Sequence, residues 1–190
     1  MKNPFKSFDN FFINLINRKM NNKFFNFMFY YITHLGGLVF LSLLTLSLLF
    51  IKGQPRKLGL EILLGQVLTS AIVQILKRIF LRNRPYWILD NLNTYGIDLS
   101  DYSFPSGHSA ASFSVATIVA CNYSNLALIV FILAGLVAIS RIYLAVHYPT
   151  DVLAGIIIGV ASSLAVHYFI FSALYVYLEN KFTWEGNYTC

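Results

Sequence analysis

Long apolar runs separated by short polar hinges dominate the chain, and they predict an all-α integral membrane bundle. A helix needs roughly 20 residues to cross the hydrocarbon of a bilayer. Four runs approach or exceed that length: Tyr30 to Ile51, Leu58 to Leu81, Leu126 to Val146 and Val152 to Leu178. A fifth begins at Pro105 and runs to Cys121. It is shorter and rich in Ala and Ser, so it is expected to pack closely inside the bundle. Gly155 and Gly159, four residues apart in the last run, carry the same close-packing signature. The link Lys52-Gly53-Gln54-Pro55-Arg56-Lys57 is short and turn-forming, so the second span returns antiparallel to the first.

Two segments depart from this pattern. Near the N-terminus, Phe5, Phe8, Phe11, Phe12, Leu15 and Ile16 recur at three- and four-residue steps, with Lys6, Asp9, Asn10, Asn14 and Asn17 between them. Asn3 can cap this helix and Pro4 suits its first position. The amphipathic unit, within residues 1–23, is expected to lie in the membrane interface or to pack on the bundle by the same apolar face. Residues 86–104 are only weakly apolar and cannot span; Tyr86, Trp87 and Tyr95 suit a loop at headgroup depth that roofs a lipid entrance. The tail from Glu179 to Cys190 is polar, with Trp184 and Tyr188. The reading is therefore a single domain over residues 1–190, with five transmembrane helices and an N-terminal amphipathic helix.

Composition agrees. Hydrophobic residues make up 57% of the chain and charged residues 12%, with a mean hydropathy of +0.62. About 25% charged is usual for soluble domains, so half of that excludes an ordinary soluble protein. The net charge of +6 has no basic, solvated face to go with it, which argues against nucleic acid as a partner. Cys121 and Cys190 have no metal-ligand spacing and read as unpaired thiols. No cleavable signal pattern follows Met1-Lys2, so the first true span is expected to direct insertion.

Alternation of the spans brings the polar residues together. The end of span two, the start of span three, the end of span four and the start of span five fall on one membrane face. Lys77, Arg84, Ser106, Gly107, His108, Arg141, His147 and Asp151 can all meet there, all within residues 77–151. Lys77 and Arg84 are two helical turns apart, and a helix continued to Pro85 would present both on one side. Three cations, a serine hydroxyl and the free N–H groups of a helix start suit a small, multiply charged anion. A phosphate monoester, at about −1.5 to −2, fits that description. Carboxylate or Cys/His clusters for a metal are missing from the pattern, so no metal and no cofactor are expected. Two histidines beside such a pocket permit covalent catalysis: His147, with Asp151 four residues on to orient it, attacks phosphorus, and His108 protonates the leaving oxygen. A non-catalytic protein binding anionic headgroups would use the same cations. A transporter fits less well, because the spans show no internal repeat.

These residues fall into three patterns: Lys77 to Arg84-Pro85 (K-x6-RP), Pro105-Ser106-Gly107-His108 (PSGH), and Ser140-Arg141 through His147 to Asp151 (SR-x5-H-x3-D). All three, in this order, resemble the type 2 phosphatidic acid phosphatase superfamily, which also includes vanadium haloperoxidases. The resemblance implies a helical bundle that hydrolyses a lipid phosphate without metal through a phosphohistidine at His147. Asp151 would orient that histidine, His108 would be the general acid, and Lys77, Arg84, Ser106, Gly107 and Arg141 would bind phosphate. Spans on both sides of the motifs argue against haloperoxidase activity. Undecaprenyl diphosphate is the first expected substrate, with phosphatidylglycerophosphate and phosphatidic acid next and transfer to a second lipid as a further option. The implied location is the plasma membrane, multi-pass. Cations outside residues 77–151 divide five (Lys2, Lys6, Arg18, Lys19, Lys23) against four (Lys52, Arg56, Lys57, Lys181), which does not set the orientation. The resemblance to small bacterial enzymes places the active site on the outer face.

Overall fold

A computed structural model describes residues 5–174. Asn3, Pro4, Lys2, Lys181, Cys190 and the tail from Glu179 lie outside the described residues, as does the end of the last span. Helices α1 (Lys6–Ile13), α2 (Lys23–Ile32), α3 (Leu38–Phe50), α4 (Gln54–Phe80), α5 (Pro85–Ile88), α6 (Gly107–Asn122), α7 (Ala127–Tyr143) and α8 (Pro149–Ala165) follow in order. There is no strand among the described residues. π-helical turns at Asn14–Lys19 and Val166–Phe171 extend α1 and α8. By length and composition, three helical segments among the described residues can cross a membrane: Gln54–Ile88, Ser124–Tyr143 and Pro149–Leu174. A fourth forms if the bent pair Lys23–Gly36 and Leu38–Phe50 counts as one span.

Helix α6 is the short run at Pro105 to Cys121 of the sequence pattern; at 16 residues it is not among the segments long enough to cross, and it sits at the centre, against α4, α7 and α8. Its small residues allow that position. Ser109, Ala110, Ser112, Ser114, Ala116 and Thr117 are all buried. α8 crosses it backbone to backbone at the two glycines of the spacing signature. A Cβ on Gly155 would lie 2.5 Å from the Ser106 carbonyl oxygen, and one on Gly159 would lie 2.3 Å from that of Ala110. Gly159→Ala must therefore push α8 off α6. We expect a loss of about 1–3 kcal/mol, as for overpacking elsewhere, read by thermal or denaturant unfolding in detergent.

Three elements differ from the sequence expectation. The first span is not one straight helix. It bends by 50° at a 3-10 turn, Thr33–Gly36, because the chain there is pressed against α6 and α7. A Cβ on Gly36 would lie 2.5 Å from Ser112 Oγ and 2.6 Å from Val137 Cγ1, so only glycine fits. Second, α4 does not continue to Arg84. It stops at Phe80, Leu81 takes a left-handed conformation (φ 46°), and Arg84 follows on an irregular stretch before Pro85 starts α5. Third, the polar side of the N-terminal helix is not all solvated. Asp9 is fully buried, and Ile13 with Asn17 is buried beside it, so α1 docks on the start of α8.

The loop after α5 is tied down on the bundle. The Asn17 amide donates to the Asn93 carbonyl at 2.9 Å, and its oxygen accepts from the Asn93 N–H at 3.1 Å. Tyr95 donates to Asn26 at 2.8 Å and stacks on Tyr143. Away from this end, another buried polar group joins α4, α6 and the π-helical turn after α8: Glu61 accepts from Asn122 at 2.9 Å and lies 2.6 Å from His167 Nδ1.

Candidate active site

The sequence-predicted residues meet at one end of the bundle, each delivered by a different local device. Lys77 is on the last turn of α4, and Arg84 on the strap that follows. The strap is pinned by the Ser103 N–H, which donates to the Arg82 carbonyl at 2.7 Å. Arg141 ends α7. His147 lies in the break between α7 and α8, where Ala145 has a left-handed backbone (φ 53°) and the Val146 and His147 N–H groups both return to the Arg141 carbonyl at 3.2 Å. Gly107 and His108 open α6, and their amides have no preceding helical carbonyl to bond.

Lys77, Arg84, Gly107, His108, Arg141 and His147 line one cavity of about 830 Å³. From this charged end the cavity continues between α3 and α4 past Leu41, Leu46, Leu49, Leu63 and Val67. The fourteen helical steps from Leu63 to Lys77 correspond to about 21 Å of helix. The cavity thus joins a cationic head to an apolar groove.

His147 is buried, and its ring is fixed from both sides. Nδ1 lies 2.7 Å from the Ser103 carbonyl oxygen, which can only accept, so Nδ1 carries the proton. Nε2 then carries the lone pair. It lies 3.4 Å from an Arg84 guanidinium nitrogen and faces the cavity. Burial pushes the His147 pKa well below the ordinary imidazole value, and Arg141, Arg84 and Lys77 push it further, against the Ser103 carbonyl. Both effects favour the neutral imidazole.

Asp151 does not touch His147 in the way the four-residue spacing suggested. Its nearest oxygen is 3.8 Å from His147 Nδ1. The carboxylate instead accepts from the Ser103 hydroxyl, from Arg82 and, at 2.9 Å, from the Tyr148 N–H. Ser103 stands between them: the carboxylate holds its side chain and its carbonyl holds the ring. Ser106 also takes a different place. It is fully buried, its hydroxyl caps α6 toward Ser109, and its N–H donates to the Asp151 carbonyl at 3.0 Å. It therefore pins the α6 start to α8 and does not line the cavity.

Several participants were not foreseen from the sequence. Asp101 makes ion pairs with both Lys77 and Arg84, and its carbonyl accepts from Arg84 Nε at 2.7 Å. Burial raises the Asp101 pKa, but Lys77 and Arg84 outweigh it and hold the carboxyl at about 2. Arg82 bridges Asp151 and Asp9, bonds Thr150 at 2.8 Å, and lies 4.0 Å over the Tyr148 ring. Thr33, from the bend in the first span, lies 2.6 Å from an Arg141 nitrogen, whereas Arg141 Nε is buried without a partner. Asp101 and Asp9 gave no spacing signal, one being a loop acid among many polar residues and the other one turn-facing acid on an amphipathic helix. Among the described residues no three His, Cys, Asp or Glu side chains cluster to hold a metal.

A sequence model of the PAP2 superfamily matches residues 58–175, more than half of the chain. The chain belongs to the PAP2 superfamily. Its resemblance extends to solved structure. Over 85% of this chain and 96% of that one, it superposes on the crystal structure of Aquifex aeolicus LpxE with a TM-score of 0.78 at 27% identity. In sequence it is 32% identical over 170 residues to a lipid A 4'-phosphatase of Porphyromonas gingivalis, covering 83% of this chain and 68% of that protein. It is 30% identical over 114 residues to an undecaprenyl-diphosphatase of Sulfolobus acidocaldarius. That match covers 60% of this chain and spans only 55% of the relative's length. The two sequence relatives are named for different lipid phosphates.

Proposed function

We propose that this PAP2 protein hydrolyses a membrane lipid phosphate or diphosphate through a phosphohistidine at His147, without metal. The tautomer of His147 carries the reading: a carbonyl acceptor on Nδ1 leaves a neutral, nucleophilic Nε2 facing three cations. Lys77, Arg84 and Arg141, with the Gly107 and His108 amides, hold the phosphate oxygens and stabilise the charge that develops on them. The Nε2 lone pair forms the N–P bond as the P–O bond to the lipid breaks, and His108, which enters the step as an imidazolium paired with the substrate phosphate, gives its extra proton to the departing oxygen. Water then attacks phosphorus, His108 takes its proton, and the N–P bond breaks to release inorganic phosphate and neutral His147. Asp151 steadies the imidazole through Ser103.

The apolar groove between α3 and α4 supports a lipid tail beside the phosphate. Undecaprenyl diphosphate stays the first candidate, in keeping with the Sulfolobus relative, and a lipid A phosphate is second, in keeping with the Porphyromonas relative that covers more of the chain. The reading places the active site at the outer face of the plasma membrane. The purified protein, given a panel of lipid phosphates in detergent, should release phosphate equally with and without a chelator. Loss of release in chelator, restored by a divalent ion, would overturn the mechanism.

A further inference from the structure

The Asp101 carboxylate occupies the same two donors, Lys77 and Arg84, that the phosphate of a substrate requires. Both cations are buried, whereas the Asp101 side chain is 51% exposed and reaches in from the loop over the site. The groups left uncovered are Arg141, with its unpartnered Nε, and the amides of Gly107 and His108. An incoming phosphate meets these first and must then displace Asp101.

We infer that Asp101 is a specificity-determining residue: an internal anion that only a phosphate carrying nearly two charges can displace from Lys77 and Arg84. An anionic phosphodiester headgroup brings one net negative charge, the same as the carboxylate it would replace, and a zwitterionic one brings none, so neither exchange gains charge. A terminal phosphate monoester or diphosphate brings about −1.5 to −2 or more and gains from the swap. The distinction matters in a bilayer, where diester headgroups surround the site at high concentration and the substrate is scarce. Asp101 thus keeps bulk phospholipid out of the pocket by charge. It also competes with inorganic phosphate after hydrolysis and assists its release.

The inference rests on the phosphatase reading of the site, and direct phosphate binding separates the two. Calorimetric titration with inorganic phosphate requires no turnover and can be run on wild type and on Asp101→Asn. The variant should bind phosphate at least ten-fold more tightly. In assays with a lipid monophosphate, vesicles of phosphatidylglycerol, but not phosphatidylcholine, should inhibit the variant competitively and leave wild type unaffected. Asp101→Glu should restore the wild-type pattern. If Asp101→Asn is too unstable to purify, Asp101→Ser serves for the same titration. Phosphate binding that is unchanged or weaker in the variant would make Asp101 a brace for the two cations and overturn the inference. Full activity in His147→Ala would instead sink the phosphohistidine reading, whatever Asp101 does.

Discussion

His147→Ala should abolish phosphate release while leaving lipid binding intact. The expected fall in kcat is on the order of 10⁴- to 10⁶-fold, the range for removing a nucleophile or its partner from a catalytic group acting as a unit. Lipid binding persists because Lys77, Arg84 and Arg141 remain, so the variant separates an enzyme from a headgroup-binding protein. Wild-type pH dependence provides a second check. Burial and three neighbouring cations lower the His147 pKa, so the imidazole protonates only when pH falls below the usual value of about 6.5. The acid limb of the free-enzyme kcat/KM profile, which reports His147, should therefore lie below pH 6.5. An acid limb centred above pH 7 would contradict a neutral His147 held by the Ser103 carbonyl.

Arg82→Met should destabilise the protein by about 3–5 kcal/mol, the usual cost of removing one partner from a buried charge pair. Arg82 is the common partner of Asp9 and Asp151, both fully buried, and its loss takes an ion pair from each of them. Denaturant unfolding in detergent reads the effect directly. Adding Asp9→Asn to Arg82→Met should recover part of the loss, because the second change removes one of the two buried carboxylates that Arg82 had neutralised. A fall in kcat should accompany the destabilisation, since Asp151 would no longer be held toward Ser103. A change in stability below about 0.5 kcal/mol, the level of an ordinary surface substitution, would show that the bridge is not formed.

The membrane bundle and the meeting of the cations and histidines were legible in the sequence because hydrophobic run length and alternation set them. Lys77, Arg84, His108, Arg141 and His147 reach one cavity whatever the local geometry between them. The route to that meeting was not legible. A continuous helix would also have placed Lys77 beside Arg84, but the chain takes a left-handed residue at Leu81, a conformation that no residue pattern announces there. The site's supporting contacts were hidden for a related reason. Asp9, Ser103 and Asp101 come from a helix face and a loop whose position depends on tertiary packing, and Thr33 depends on a bend set by the contact of Gly36 with α6 and α7. Asp151 illustrates the limit well. Its spacing from His147 correctly placed it nearby, yet spacing could not show that Ser103 stands between them.

The docking of α1 has a practical consequence for anyone wishing to cut the protein down. The recognisable family region begins at residue 58, and a fragment starting there would retain every motif residue. It would nevertheless lose Asp9 from beneath Arg82 and Thr33 from beside Arg141, and with α3 one wall of the groove. The span recognised by homology is therefore smaller than the unit that can work. A minimal version of this protein has to begin ahead of Asp9.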